Sequence, residues 1–200
     1  MKNSLKGLPS MSRTIYSGID YSLTSPCVAV YDSEQGEFSF ENCKFYFLTE
    51  TKSMMTTWKN IHGNEYPLYK GDEERYHKIS EWVSNCFDGV TSDDIVMIGI
   101  EGYSMGSTGR VFNLAENCGL LKWKFWAHNI PFQIHPPTVI KKFATGKGNA
   151  DKNKMYEAFV QETGQDISAM MCPKKSTIGN PISDIVDAYY ILKYTYLNNS

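Results

Sequence analysis

Residues 94–102 read DIVMIGIEG, a near-continuous apolar run that ends in one acidic residue and a glycine. Such a run is typical of a strand that is buried on both faces, as in parallel sheets covered by helices. In open α/β sheets, ligands bind at the carboxyl ends of the strands, which is where Glu101 would lie. The stretch therefore predicts an α/β fold and makes Glu101 a candidate site residue.

The same design occurs near the start of the chain. Residues 14–20 read TIYSGID, a short β-rich run that ends at Asp20. A turn-rich segment, YSLTSP, then leads into a second strand at 27–31. One acid at a strand end is common, but acids at the ends of two strands form a specific pattern if the fold brings these ends together.

A third acidic segment lies near the C-terminus, where residues 180–190 read NPISDIVDAYY. In a helix, Asp184 and Asp187 would lie about one turn apart on the same face. Two buried carboxylates so close repel each other and lose hydration unless a proton or a cation intervenes. The alternative is a solvated first helical turn, where the helix dipole favours acids. Together with Asp20 and Glu101, the pair favours a divalent metal site, and oxygen ligands suit Mg²⁺ or Mn²⁺ rather than zinc.

These segments resemble those of RuvC-type Holliday junction resolvases, which belong to the RNase H-like (retroviral-integrase-type) nucleases. The resemblance covers residues 15–197. It is carried by GID at 18–20, IE at 100–101, SDIVDA at 183–188 and the basic, glycine-containing stretch at 134–152. The chain departs from the family at 21–24, which read YSLT where bacterial members usually carry Pro-Gly, and residues 43–72 are longer than the corresponding region. These departures concern DNA sequence preference rather than the metal site.

The resemblance implies an α/β fold with an RNase H-like mixed five-stranded sheet flanked by helices. It also implies a structure-selective endonuclease that resolves four-way DNA junctions with symmetric nicks, which requires two active sites and therefore a C2 homodimer. The implied chemistry is phosphodiester hydrolysis with two Mg²⁺ ions about 3.5–4 Å apart, for which Mn²⁺ can substitute. The expected metal ligands are Asp20, Glu101, Asp184 and Asp187, and the expected catalytic cations, which offset charge on the scissile phosphate, are Lys147 and Lys152.

The formal net charge of −2 conceals a basic segment. Residues 138–154 contain five lysines and one acid, a pattern that suits phosphate binding. The glycine-rich loop at 102–110 follows Glu101 and matches neither nucleotide-binding glycine motif. The alternative for the basic segment is a solvated face, and the alternative for the glycine-rich loop is a flexible connector. We predict DNA contacts from both segments and from a later lysine pair, namely Tyr103, Ser104, Arg110, Lys141, Lys142, Lys147, Lys152, Lys174 and Lys175.

Hydrophobic periodicity predicts the remaining elements. A third strand or hairpin limb is expected at 37–40 and 44–47, a loop or insertion at 49–71, a fifth strand at 131–135, and helices at 72–87, 109–128, 152–161 and 181–197. The helix at 109–128 has more large apolar residues than one core face needs. Trp123 and Trp126 are therefore the candidate dimer interface.

The length of 200 residues suits one catalytic domain, which we predict at 14–200 after a flexible leader at 1–13. No apolar run approaches the roughly 20 residues that span a membrane, so no membrane association is expected. The five cysteines are scattered along the chain, which argues against a zinc site or a disulfide framework. We expect a cytoplasmic protein without organellar targeting.

Three other functions would use parts of the same pattern. A broader nuclease that acts on branched DNA, flaps or RNA–DNA hybrids would need the same four acids. A sugar-kinase-like or actin-like phosphotransferase also begins with a strand ending in Gly-Ile-Asp, but it needs a second phosphate loop. A non-catalytic junction-binding protein would be expected to lack at least one acid, and none is missing here.

Overall fold

The computed structural model describes residues 13–103, 111–174 and 177–200. Within them, one mixed sheet has the strand order β4-β5-β3-β2-β1-β6-β7. Its strands are β1 (Thr14–Asp20), β2 (Cys27–Asp32), β3 (Cys43–Thr49), β4 (Thr57–Trp58), β5 (Ile61–Glu65), β6 (Ile95–Glu101) and β7 (Phe132–His135). The helices are α1 (Asp72–Asn85), α2 (Val111–Ala127), α3 (Pro137–Thr145), α4 (Lys152–Thr163), α5 (Ile167–Met171) and α6 (Ile182–Asn199).

The sheet is mixed because its first three strands are antiparallel neighbours, whereas β6 and β7 run parallel to β1. One face is covered by α3, α4, α5 and α6, and the other by α1 and α2. The predicted α/β architecture with a mixed, helix-flanked sheet is therefore confirmed. The predicted number of strands is wrong, since the sheet has seven strands rather than five.

The two extra strands lie in residues 49–71, which the sequence pattern assigns to a loop. There, β5 pairs in parallel with β3, and β4 pairs with β5. Their sequences, TW and IHGNE, lack apolar alternation, so they are defined by ladder hydrogen bonds, of β5 to β3 and of β4 to β5. Gly63 allows the segment before β4 to approach closely, since a Cβ there would lie 1.8 Å from the Met54 carbonyl oxygen.

The strand predicted at 37–40 is also wrong, because these residues form no ladder. Phe38 and Phe40 nevertheless both face the core. Phe40 stacks on Phe45 with ring centroids 4.9 Å apart, and Phe38 stacks on Tyr196 at 4.8 Å. The alternating aromatic pattern therefore reflects burial against α6 and β3 without strand pairing.

A pair of glycines lets α6 lie directly on the sheet. Gly18 of β1 and Gly99 of β6 are register partners. A Cβ at Gly18 would lie 2.1 Å from the Leu192 backbone nitrogen and 2.3 Å from the Ala188 carbonyl oxygen. A Cβ at Gly99 would lie 2.1 Å from Thr195 Oγ1. This close crossing fixes the first turns of α6 near the C-terminal ends of β1 and β6.

Gly18→Ala should destabilise the protein by about 1–3 kcal/mol, because the added methyl group overlaps backbone atoms that cannot move separately. The matched control is Gly179→Ala, where no atom of the described residues lies within 4 Å of the added Cβ. There, the lower conformational entropy of the unfolded chain should stabilise the protein by up to about 1 kcal/mol. Denaturant unfolding of both variants measures the difference. An unchanged unfolding midpoint for Gly18→Ala would contradict the close crossing of α6.

The division into a leader at 1–13 and a domain at 14–200 stays a prediction, and residues 1–12 lie outside the described residues. The Arg13 guanidinium is paired with Asp32 at 3.2 Å and with Asp94 at 3.0 Å. Among the described helices, none combines the length and apolar character that crossing a bilayer requires.

Candidate metal centre

The first two acids of the candidate site end neighbouring parallel strands. Ile19 of β1 is the register partner of Ile100 of β6, so Asp20 and Glu101 follow at the same sheet edge. Each acid lies two residues after one of the glycines beneath α6, and side chains two apart in a strand share a face. Both carboxylates therefore lie on the face that α6 covers.

The other two acids come from the first turns of α6. Asp184 precedes Ala188 by about one helical turn, and Ala188 lies against Gly18. The side chain of Asp184 is buried, with 6% of the residue exposed, and Asp187 is half-buried. Asp184 is therefore not part of a solvated first turn, which was the alternative that the sequence left open.

The ionisation of the four acids shows that they share one environment. Burial raises the pKa of Asp20 well above its usual range, and the three other carboxylates raise it further. Burial and the nearby Asp187 raise the pKa of Glu101 to about 7. Burial and Asp184 raise the pKa of Asp187 to about 6. Close carboxylates in a poorly hydrated site cannot all remain charged without a compensating cation.

Lysines on α3 and α4 counteract part of this charge. Lys152 lowers the pKa values of Asp20, Asp184 and Asp187, although burial outweighs its effect at each of them. Lys141 acts in the same way on Glu101 and Asp187. The positive side chains around the acids thus come from the basic segment that the sequence associates with phosphate binding.

A polar network holds Lys152 and Asp184 at the start of α6. Lys152 Nζ donates to Asn180 Oδ1 and to Ser183 Oγ, both at 3.1 Å. Ser183 Oγ lies 3.2 Å from Asp184 Oδ1, and the Ser25 and Ser183 hydroxyls lower the pKa of Asp184 against the effect of burial. Ser25, Asn180 and Ser183 were not predicted as site residues. The sequence signal for Asn180 and Ser183 is the segment NPIS at 180–183, whose polar residues are typical of a helix start.

The donor set fits a hard divalent cation in its chemistry. Asp184 Oδ2 is buried and has no hydrogen-bond partner among the described residues. A buried carboxylate oxygen without a partner is costly, and four carboxylates provide the oxygen ligands that Mg²⁺ and Mn²⁺ prefer. Within residues 13–103, 111–174 and 177–200, however, no three His, Cys, Asp or Glu side chains already stand where they could hold one metal ion.

The acids open onto a cleft of about 320 Å³. Asp20, Glu101, Asp187, Tyr103 and Lys141 are among its lining residues. The Tyr103 hydroxyl accepts a hydrogen bond from Lys122 Nζ at 3.2 Å and donates to the Ala115 carbonyl at 3.3 Å. The cleft therefore combines anionic, cationic and aromatic groups at the C-terminal edge of the sheet.

The remaining predicted residues are distributed as follows. Lys142 is exposed on α3, and Lys147 is exposed in the turn between α3 and α4, where its carbonyl accepts a hydrogen bond from Thr145. Lys174 is exposed after α5 and lines a separate cavity. Ser104, Arg110 and Lys175 lie outside the described residues. The structure thus brings Lys141 and Lys152 to the acids, whereas the sequence singled out Lys147 and Lys152 for catalysis.

His135 ends β7 as the register partner of Glu101 but belongs to the core. Its ring is buried, and Nε2 lies 3.1 Å from Thr195 Oγ1 of α6. Burial lowers the pKa of His135. The imidazole therefore helps to fix α6 on the sheet beside the acids.

Comparison with solved structures identifies proteins of the same fold. The structure of Thermus thermophilus RuvC matches with a TM-score of 0.56 and 14% identity, over 92% of this chain and 96% of that chain. T. thermophilus RuvC in complex with Holliday junction substrate matches with a TM-score of 0.55 and 13% identity, over 92% and 94% of the two chains. The yeast mitochondrial Holliday junction resolvase Ydc2 gives a TM-score of 0.48 and 13% identity, over 90% and 77%. No family model and no curated protein matches the sequence. The chain therefore has the fold of RuvC, as the sequence resemblance predicted.

Proposed function

We propose that this chain is a metal-dependent endonuclease that resolves four-way DNA junctions. The observation that carries the proposal is the meeting of four acids from β1, β6 and α6 at one sheet edge, where burial raises all four pKa values and neighbouring carboxylates raise those of Asp20, Glu101 and Asp187 further. The fold adds support, because RuvC, which shares it over 92% of this chain, has been captured with a Holliday junction substrate. Residues 14–200 would form the nuclease domain, acting in the cytoplasm.

In this proposal, Asp20, Glu101, Asp184 and Asp187 hold two Mg²⁺ ions, or Mn²⁺ in their place. When bound, such ions supply a strongly activated water and neutralise charge on the scissile phosphate. The chain contributes positioning: Ser183, whose hydroxyl lies 3.2 Å from Asp184 Oδ1, orients the Asp184 carboxylate. Asn180 and Ser183 hold the Lys152 ammonium group beside the acids, where it faces the phosphate.

We propose that the DNA backbone approaches along the basic segment. Lys141 and Lys152 lie next to the acids, and Lys142 and Lys147 extend the positive charge outward over α3 and the following turn. Each phosphate neutralised by a lysine releases counterions, which favours binding. Tyr103 would stack on a base or sugar at the cleft, and the predicted contacts from Ser104, Arg110 and Lys175 stay predictions.

We propose that the protein acts as a homodimer through α2. Phe112, Trp123 and Trp126 expose 81%, 59% and 72% of their surface. They lie on the same face of α2 as Gly119, because positions 112, 119, 123 and 126 are 7, 4 and 3 residues apart, which is the spacing of a helix–helix seam. Large exposed aromatic residues on one stripe are a common mark of a protein interface.

Trp126→Glu should convert the dimer to a folded monomer, because a charge buried in an apolar seam is not solvated. Sedimentation velocity measures the oligomeric state, and strand-resolved incision assays should show single nicks in place of paired ones. Leu68→Glu is the matched control, since Leu68 is 88% exposed and lies between β5 and α1, outside α2. A wild-type protein that sediments as a monomer both alone and on a junction would remove the basis for paired incision.

Substrate selectivity distinguishes junction resolution from the broader nuclease activity that the same acids would support. The test compares Mg²⁺-dependent cleavage of a four-way junction, a flap, an RNA–DNA hybrid and a linear duplex of matched sequence. We expect the junction to be cleaved at least about tenfold faster than the others, a difference of about 1.4 kcal/mol in transition-state binding. Equal rates on junction and flap would favour the broader nuclease.

A further inference from the structure

A second and larger cavity, of about 680 Å³, lies beside the candidate metal centre. We call it the side pocket. Its buried floor includes Leu48, Met54, Tyr66 and Met171. Its exposed rim includes Thr24, Thr51, Ser53, Lys174 and Asn180. The pocket thus has an apolar floor and a polar mouth, and its volume is within the roughly 300–1,000 Å³ that is typical of ligand sites.

The side pocket opens on the same sheet edge as the four acids. β3 is antiparallel to β2, which is antiparallel to β1, so β3 ends at Thr49 on the edge where β1 ends at Asp20. Ser25 and Asn180 line the pocket, and Asn180 also belongs to the Asp184 network: its amide donates to Ser25 Oγ, and its Oδ1 accepts from Lys152 Nζ. One shared wall therefore separates the pocket from the acids.

The charge of the side pocket favours an anionic ligand. Among the described residues, its lining contains Arg75 and Lys174 and one acid, Glu50. The Arg75 guanidinium is fixed by neutral oxygens, with Nε donating to the Tyr66 hydroxyl at 2.9 Å and Nη2 donating to the Leu23 carbonyl at 2.6 Å. These partners orient the guanidinium without cancelling its charge. A planar apolar group that carries a phosphate would satisfy both the floor and the cations.

We propose that the side pocket receives one unstacked nucleotide of the DNA strand whose backbone crosses the four acids. The base would lie against Leu48 and Met54, and its phosphate would face Arg75 and Lys174. This inference rests on the proposed nuclease function. Unstacking a base is costly in a duplex and least costly where the base already lacks a partner, as at a branch point. The pocket would therefore set the distance between the branch and the cut.

The test uses junctions that carry 2-aminopurine at each position flanking the cut, bound in metal-free buffer so that no strand is cleaved. Wild type should raise the fluorescence about fivefold at one position, because unstacking relieves quenching of this base. Ser53→Trp, which places an indole at the exposed rim, should abolish the rise and slow incision in Mg²⁺ about tenfold, with the Kd for the junction within about twofold. Thr51→Trp on the same rim provides a second blocking variant.

Ser92→Trp is the matched control, because Ser92 is an exposed serine near the opposite end of β6. It should keep both the fluorescence rise and the incision rate. If the fluorescence rises at no flanking position while the junction is still cut, the side pocket does not receive a nucleotide, and the proposed nuclease function is unaffected. A rise that survives both rim variants would lead to the same conclusion. A wild-type protein that cuts no branched DNA would overturn the proposed function together with the inference.

Discussion

Asp20→Asn is expected to abolish incision and leave junction binding within about twofold of wild type, because the proposed DNA contacts are lysines outside the acids. The substitution keeps the shape of the side chain and removes its charge. Asp20 lies among the other acids, since Glu101, Asp184 and Asp187 all raise its pKa. Metal-ion stabilisation of the transition state is worth several kcal/mol, so its loss should slow incision on the order of a thousandfold.

Gel-shift and incision assays on one preparation of Asp20→Asn measure both effects. Asp88→Asn is the matched control, because Asp88 is exposed and lies after α1, away from the acids. Without divalent ions, Asp20→Asn should also unfold at a higher denaturant concentration than wild type, since one of four repelling carboxylates is gone. Incision retained above about a tenth of the wild-type rate would exclude Asp20 as a metal ligand.

The second large effect is a loss of stability with rising pH in the metal-free protein. Glu101 and Asp187 have folded-state pKa values of about 7 and about 6, above their usual values of 4.5 and 3.8. Between about pH 4 and pH 7 the folded state therefore binds more protons than the unfolded state, and stability falls as pH rises. The shift at Glu101 alone corresponds to about 3 kcal/mol at 1.36 kcal/mol per pKa unit. Because the four acids interact, their contributions do not add.

The buried His135 works in the opposite direction, since burial lowers its pKa and the folded state therefore favours its neutral form as pH rises. The comparison that isolates the acids is wild type against Glu101→Gln, by chemical unfolding from about pH 5 to about pH 8 with and without Mg²⁺. As pH rises, the free energy of unfolding of metal-free Glu101→Gln should fall less than that of wild type. Mg²⁺ should stabilise wild type more at the higher pH, because ligands must be deprotonated to bind. Parallel pH profiles for the two proteins, with no response to Mg²⁺, would contradict a metal site at these acids.

The sequence predicts the acids better than it predicts the sheet around them. Asp20 and Glu101 end β-rich runs whose boundaries are clear from apolar composition, and the structure places both at strand ends. The sequence pattern does not predict β5, because His62 and Asn64 occupy positions where a buried strand would carry apolar residues. Its existence depends on backbone pairing with β3, which no local pattern encodes.

Features that depend on distant residues could not be read from the chain. Gly18 and Gly99 allow the close approach of α6 only because β1 and β6 lie side by side beneath that helix. The choice between Lys141 and Lys147 depends on α3, a helix whose start at Pro137 the sequence pattern did not separate from the basic segment. Ser25, in a turn-rich stretch, joins the Asp184 network across more than half of the chain.

The most direct test of the account is incision of a synthetic four-way junction labelled in turn on each of its four strands. With Mg²⁺, the wild-type protein should nick two opposed strands at symmetric positions, and the nicks should be sealed by DNA ligase because hydrolysis leaves 5′-phosphate and 3′-hydroxyl ends. No nicks should form without divalent ions or with Asp20→Asn. A folded, junction-bound protein that leaves all four strands intact in both Mg²⁺ and Mn²⁺ would contradict the assignment of the four acids as a nuclease centre.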